Sequence, residues 1–355
     1  MPEVFLNLDG CFSSRLRAPR CTSTEMANYY MTTRNCPYVR AILERAIEGG
    51  YNYLSALFGV EACAAMDRME EHFFLLNPVK NDDFFVTQID GPMKSDKTSL
   101  DYYKAQLKLK VLDELNKRFG VDTSDAALRK AVKNFNEIAR LITEIGEFRK
   151  LDNPPVTGYE FHVIELVSLV CPHYLIKPYL EETLEEIKKR EPEAKPPFRA
   201  RVVLVGSEID DPDFTGLIES CGAMVVADRY CFGSIPGREE IELKDGEDAF
   251  DAICRHYLKY NLCSRFMDGV KIEQRQKEAA RLVKEYKADG VIYESMKFCE
   301  FWSYEKVLAS NVLKTDFGIP CCTIEKDYTL AAAGQLRTRF QAFIESLEIK
   351  TIQKG

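Results

Sequence analysis

The sequence predicts an α/β protein made of two small doubly wound parallel-sheet domains joined by a helical insertion, and three observations predict it. Short apolar runs alternate with helical patterns in the first third of the chain. Long helical patterns without strands fill the middle, and four strand-like runs separated by helices fill the rest. The expected N-terminal α/β domain covers 1–97, the helical insertion and linker 98–197, and the C-terminal α/β domain 198–355.

In the first domain the runs are Val4–Leu8, Tyr53–Phe58 and Phe84–Gln88, separated by a helix through Ala41–Glu48 and another after Val60. Alternation of this kind marks βαβ units. From Leu100 to about Arg190, segments such as SLDYYKAQLKLKVLDELNKRF and SDAALRKAVKNFNEIARLITEIGEFRK repeat apolar residues three and four apart, which is helical. The run KKREPEAKPPFR closes that region with prolines and reads as a linker. Four parallel strands then follow in ARVVLVGSEID, GAMVVADR, DGVIYESM and PCCTIEKD, with helices around Asp251–Tyr260, Gln274–Ala288 and Tyr304–Leu313 and a last helix from Gln335 to Leu347. The two α/β halves are alike in pattern and not in sequence.

Of the 355 residues, 46% are hydrophobic and 29% charged, the profile of a globular protein. A net charge of -8 without a basic cluster argues against a nucleic-acid partner. The longest nearly apolar stretch, Val163 to Val170 and on to Cys171, is far shorter than the ~18 residues of a membrane span. The N-terminus MPEVFLNLDG has no basic segment leading into an apolar one, so no secretory signal is read and the expected compartment is the cytoplasm.

Twelve cysteines are many for a chain in a reducing compartment. Ligands of open α/β sheets bind beyond the carboxyl ends of strands, so cysteines there carry the higher functional weight. Cys63, Cys231 and Cys299 each follow a strand. Cys36 precedes Pro37, at a helix start where a thiolate is stabilised, and Cys263 lies in a loop between helices. Cys171, Cys221, Cys254, Cys321 and Cys322 read as packing residues, and Cys11 and Cys21 fall in an irregular segment. No C-x-x-C or ferredoxin-like run is present. On pattern alone an iron–sulfur cluster, zinc and plain packing all stay open, with zinc disfavoured because no histidine adjoins these cysteines.

Three other groups carry weaker chemistry. Asp210, Asp211 and Asp213 read as an acidic loop capping a helix, though they could hold a cation. Glu325, Asp327, Gln335 and Arg337 stand beyond a strand end, where capping and surface roles compete with a cleft role. His162 and His173 flank an apolar helix as core or cap residues. No catalytic acid or base is identified.

Along the chain stand NCPYVRA around Cys36, the Cys63 segment, LDNPPVTGYE, ADRYCFGSIPG around Cys231, YLKYNLCSR around Cys263, DGVIYESMKFCEFWSYE around Cys299, and IPCCTIEKDYTLAAAGQLRTRFQAF. In that order these segments resemble the family of 2-hydroxyacyl-CoA dehydratases and ATP-dependent benzoyl-CoA reductases. The resemblance implies a 4Fe-4S cluster held by three cysteines, and the matching positions here are Cys36, Cys63 and Cys299. Three thiolates leave one iron open, which suits a reaction centre. It further implies an acyl-CoA substrate, a homologous second dehydratase subunit, and a separate ATP-hydrolysing iron–sulfur activator protein. By the same resemblance, that activator's electron would reduce a (R)-2-hydroxyacyl-CoA to a ketyl radical that loses its hydroxyl. Consistent with this division, the chain has no G-x-x-x-x-G-K-S/T loop and no G-x-G-x-x-G fingerprint.

An aryl-CoA reductase of this family shares the same ligands, and a double-cluster low-potential reductase or electron-relay protein would also use Cys231 or Cys263. A zinc-bound or metal-free structural protein is the remaining alternative. Two features depart from the family pattern. The chain starts almost at its first expected strand, where relatives usually carry an upstream helical segment, and Ala64 follows Cys63 where an acid is frequent.

Overall fold

The computed structural model of the chain describes residues 1–61, 63–191, 196–235, 238–330 and 332–354. It opens with a 3-10 turn (Glu3–Leu6) and a short helix α1 (Glu25–Asn28), followed by α2 (Pro37–Ile47). A βαβ unit comes next: β1 (Ala56–Glu61), α3 (Ala64–Leu76) and β2 (Phe85–Asp90), with the strands parallel and Ala56 opposite Phe85. Up to the following strand every longer described element is helical. These are α4 (Lys97–Leu107), which runs through a π segment (Lys108–Leu112) into α5 (Asp113–Phe119), then α6 (Asp125–Glu147), α7 (Gly158–Val170) and α8 (His173–Lys189). The linker expected around 192–195 lies outside the described residues.

The second sheet comprises β3 (Ala200–Val205), β4 (Ala223–Arg229), β5 (Gly290–Met296) and β6 (Cys321–Lys326). Between them lie α9 (Pro212–Glu219), α10 (Ala249–Tyr260) with α11 (Gly269–Glu285), and α12 (Glu300–Thr315), and α13 (Ala333–Lys354) closes the chain. Every pairing is parallel and the order is β4-β3-β5-β6. Residues of β3, β4 and β5 are buried throughout, as in strands covered by helices on both faces. The order steps outward from β3 to β4 and then reverses to β5 on the other side. A crevice therefore opens between the carboxyl ends of β3 and β5.

One expected strand is absent. Val4–Leu8 forms the Glu3–Leu6 turn instead, because Pro2 precedes it and the Asn7 side chain bonds the Glu3 carbonyl at 2.8 Å and Ser13 Oγ at 2.8 Å. Val4, Phe5 and Leu8 then pack on the helices of the middle region and α10. Helix starts follow their caps: Ser124 caps α6, Thr157 and Glu160 form a capping box on α7, and Asp248 and Asp268 cap α10 and α11. The largest core joins Ile42 of α2, Phe73 of α3, Leu204, Ile292 and Phe340 of α13. It fixes α2 and α3 against the second sheet.

His162 lies inside α7, buried, its ring nitrogens 2.9 Å from Thr215 Oγ1 and 3.2 Å from the Ile209 carbonyl. Burial, opposed by Asp228, lowers its pKa to about 4. The unfolded chain takes up this proton near the ordinary histidine pKa, so stability is present above that value and is lost as pH falls toward 4. Denaturant titrations between pH 7 and 4 are expected to show a loss on the order of 3 kcal/mol from this group. His256, buried and also lowered to about 4, acts in the same direction. The slope flattens in His162→Gln.

Candidate metal centre

Each of the three cysteines singled out by the resemblance stands at a helix N-cap: Cys36 on α2, Cys63 on α3 and Cys299 on α12. Pro37 at the first helical position sets the entry angle of α2. First-turn N–H groups face each sulfur and favour its thiolate: Tyr38 and Val39 at Cys36, Met66 and Ala65 at Cys63, and Trp302 at Cys299. The turn out of β5 is tight. Phe298 takes φ 60, a left-handed conformation costing a non-glycine residue ~1 kcal/mol or more, and the Cys299 N–H bonds the Met296 carbonyl at 3.1 Å.

These thiols come from three distant parts of the sequence, yet they share one electrostatic neighbourhood. Negative charge on Cys63 raises Cys36, and charge on Cys36 and Cys63 raises Cys299. Burial dominates in all three, pushing Cys36 up to about 12 and lifting Cys63 and Cys299 as well. Grouped, buried thiols of this kind hold their protons unless a cationic centre compensates three thiolates. The donor set therefore fits a soft-metal cluster. Among the described residues no three His, Cys, Asp or Glu side chains gather around one ion-sized point. Thiolates of a polynuclear cluster take separate irons and stand further apart than the ligands of a single ion.

Cys231 and Cys263 belong to the same neighbourhood. Charge on Cys263 and Cys299 raises Cys231, and charge on Cys263 raises Cys63. The Cys231 N–H bonds the Ser207 carbonyl at 3.0 Å, placing it beyond β4 beside the end of β3. The Cys263 loop is tied down by Arg275, which donates to the carbonyls of Cys263 at 3.3 Å and Phe266 at 2.7 Å. Arg275 in turn pairs with Glu305 of α12 at 2.7 Å, with side-chain exposures of 5% and 3%, so one buried ion pair links the Cys263 loop to the helix behind Cys299.

A cavity of about 560 Å³ adjoins these thiols and is lined by Cys231, Cys263, Cys11, Tyr38, Met66 and Glu208 among others. Burial pushes Glu208 up to about 7 against the pull of Arg15 and a hydrogen bond with Cys231. Arg15 is itself paired with Glu3 and donates to the Cys231 carbonyl. At the crevice between the strands, Ser207 donates from both its N–H and its hydroxyl to Glu294 Oε2, each at 2.8 Å, and accepts from the Met296 N–H at 2.9 Å. Gly206 makes room for this lock, since a Cβ there would lie 2.6 Å from Glu294 Oε2.

Sequence reasoning missed Glu208, Arg15 and Glu294. Glu208 was accessible as a residue just beyond β3 and Glu294 as an acid inside the apolar run of β5, whereas nothing in the sequence marks the Arg15–Glu3 pair. The weaker groups do not reach the cavity lining. Asp211 caps α9 through the Asp213 N–H, and Asp210 is buried with Tyr328, whose hydroxyl donates to it at 2.6 Å. Asp327 stands 3.5 Å from Lys297, and Arg337 donates to Ser220 Oγ at 3.0 Å. Cys221 and Cys254 are buried, Cys321 and Cys322 lie in β6, and Cys171 ends α7, as expected of packing residues. His173 opens α8.

A sequence model of the family described as 2-hydroxyglutaryl-CoA dehydratase, D-component, matches residues 1–347. The chain is 27% identical over 310 residues to a protein of Escherichia coli (strain K12) named as a dehydratase subunit, covering 84% of this chain and 76% of that one. It is 25% identical over 329 residues to the (R)-phenyllactyl-CoA dehydratase beta subunit of Clostridium sporogenes, covering 92% and 84%. To one of the benzoyl-CoA reductase subunits of Thauera aromatica it is 22% identical over 273 residues, covering 75% and 67%. Among the described residues no helix is long and apolar enough to cross a membrane. With the match extending through both sheets and all five grouped cysteines, the chain belongs to the 2-hydroxyglutaryl-CoA dehydratase D-component family.

Proposed function

We propose that this chain is the cluster-carrying subunit of a radical (R)-2-hydroxyacyl-CoA dehydratase, with Cys36, Cys63 and Cys299 holding a 4Fe-4S cluster. The observation that carries the reading is that three helix N-cap thiols share one electrostatic neighbourhood, which extends through Cys231 and Cys263 to the wall of a 560 Å³ cavity. Such a cluster, held by these three cysteines, would pass on a low-potential electron and would leave an iron free of protein sulfur to hold a substrate oxygen. The residues of the chain do the rest. Helix N-termini hold the three thiolates, the Ser207–Glu294 lock keeps the ends of β3 and β5 in place, and Glu208 offers a carboxyl poised near neutrality at the cavity wall. A homologous second subunit and an ATP-hydrolysing iron–sulfur activator complete the system, in the cytoplasm.

A second reading has its own support. Cys231 and Cys263 line the cavity and face Cys299 and Cys63, which would suit a larger cluster in a low-potential reductase or electron-relay protein. The test is anaerobic purification with the partner subunit and assay with activator, reductant and ATP. Formation of an enoyl-CoA from a (R)-2-hydroxyacyl-CoA only when ATP is present is the expected result. Ring reduction of an aryl-CoA without any dehydration would overturn it.

A further inference from the structure

The cavity beside Cys231 and Cys263 presents a mostly apolar wall, with Leu54, Leu57, Phe58, Met66, Met69 and Phe119 prominent in it. Arg15 is the cationic side chain in the described lining, and it is already engaged by Glu3 and by the Cys231 carbonyl. The acids there are Glu3, Glu70 and Glu208. Glu70 is 4% exposed, with one carboxyl oxygen accepting the Val60 N–H at 3.2 Å and the other out of reach of water. A carboxylate brought into this space would shed its hydration and meet Arg15, which is already engaged, and the Met1 amine, which burial lowers to about 6, while the acids of the lining offer it no countercharge. An alkyl or aryl group would instead replace water against an apolar wall.

We propose that this cavity receives the acyl chain of the substrate and selects aliphatic or aromatic 2-hydroxyacyl thioesters over those ending in a second carboxylate. The inference rests on the dehydratase reading. It makes Ser55, an exposed residue at the lining, a position from which selectivity can be changed without disturbing the core.

Without activator no electron is delivered, so binding is measurable free of turnover. The experiment is calorimetry on the anaerobic, iron-loaded full chain with its partner subunit, titrated with (R)-2-hydroxy-4-methylpentanoyl-CoA, (R)-2-hydroxyglutaryl-CoA and coenzyme A alone. The branched thioester is expected to bind roughly tenfold or more tightly than the dicarboxylic one. In Ser55→Arg the added cation narrows that gap, and a gap left unchanged would place the acyl group elsewhere and overturn the inference. Equal or tighter binding of 2-hydroxyglutaryl-CoA to the unmodified protein overturns the inference and leaves the dehydratase reading standing. If neither thioester binds better than coenzyme A, both fall.

Discussion

Each of Cys36→Ser, Cys63→Ser and Cys299→Ser is expected to strip the anaerobically purified chain of most of its iron, from about four per chain to one or fewer. Serine keeps the size and the helix-capping geometry but not the soft, readily ionised sulfur, so the loss reports ligation and not collapse of the fold. Cys254→Ser is the control: that thiol is buried inside α10, packed with the N-terminal segment and the middle helices, and its removal leaves the iron in place. Cys231→Ser divides the two readings. Iron unchanged at about four favours the three-cysteine cluster, and a fall from about eight favours the larger one. Iron and sulfide analysis with an unfolding control for each variant decides the matter.

Glu305→Leu is expected to destabilise the protein by about 3–5 kcal/mol, because it leaves Arg275 charged, buried and unpaired. The double variant Arg275→Met, Glu305→Leu recovers most of that loss, since two apolar side chains of similar volume replace the pair. Denaturant unfolding of the three variants measures both effects. The consequence reaches the site. Arg275 clamps the Cys263 and Phe266 carbonyls while Glu305 rides on the helix that begins at Cys299, so the single variant also loosens the loop at the cavity wall.

β3, β4 and β5 of the second sheet were legible because they are buried throughout and carry short apolar runs, as in VVLV and GVIY. The middle helices were legible from their spacing, which α6 shows most clearly in Leu128, Val132, Ile138, Ile142 and Ile145. Val4–Leu8 misled because a short apolar run has no period of its own, and here Asn7 turns the backbone into a 3-10 turn.

At the site, the helix-start positions of Cys36, Cys63 and Cys299 could be read locally, from a following proline or a preceding strand. Their convergence could not, since it depends on how α2 and α3 pack on the second sheet through Ile42, Phe73 and Phe340. The Arg275–Glu305 and Arg15–Glu3 pairs were hidden for a related reason. Ion pairs within a helix recur at helical spacings, whereas pairs between elements leave no periodic trace.

Three helix N-cap cysteines, Cys36, Cys63 and Cys299, are expected to hold an iron–sulfur cluster. Iron, sulfide and zinc analysis of the anaerobically purified chain, with EPR after reduction, tests it most directly. The expected result is about four irons with matching sulfide and a signal from a reduced 4Fe-4S cluster; zinc in place of iron, or no metal at all, would contradict it.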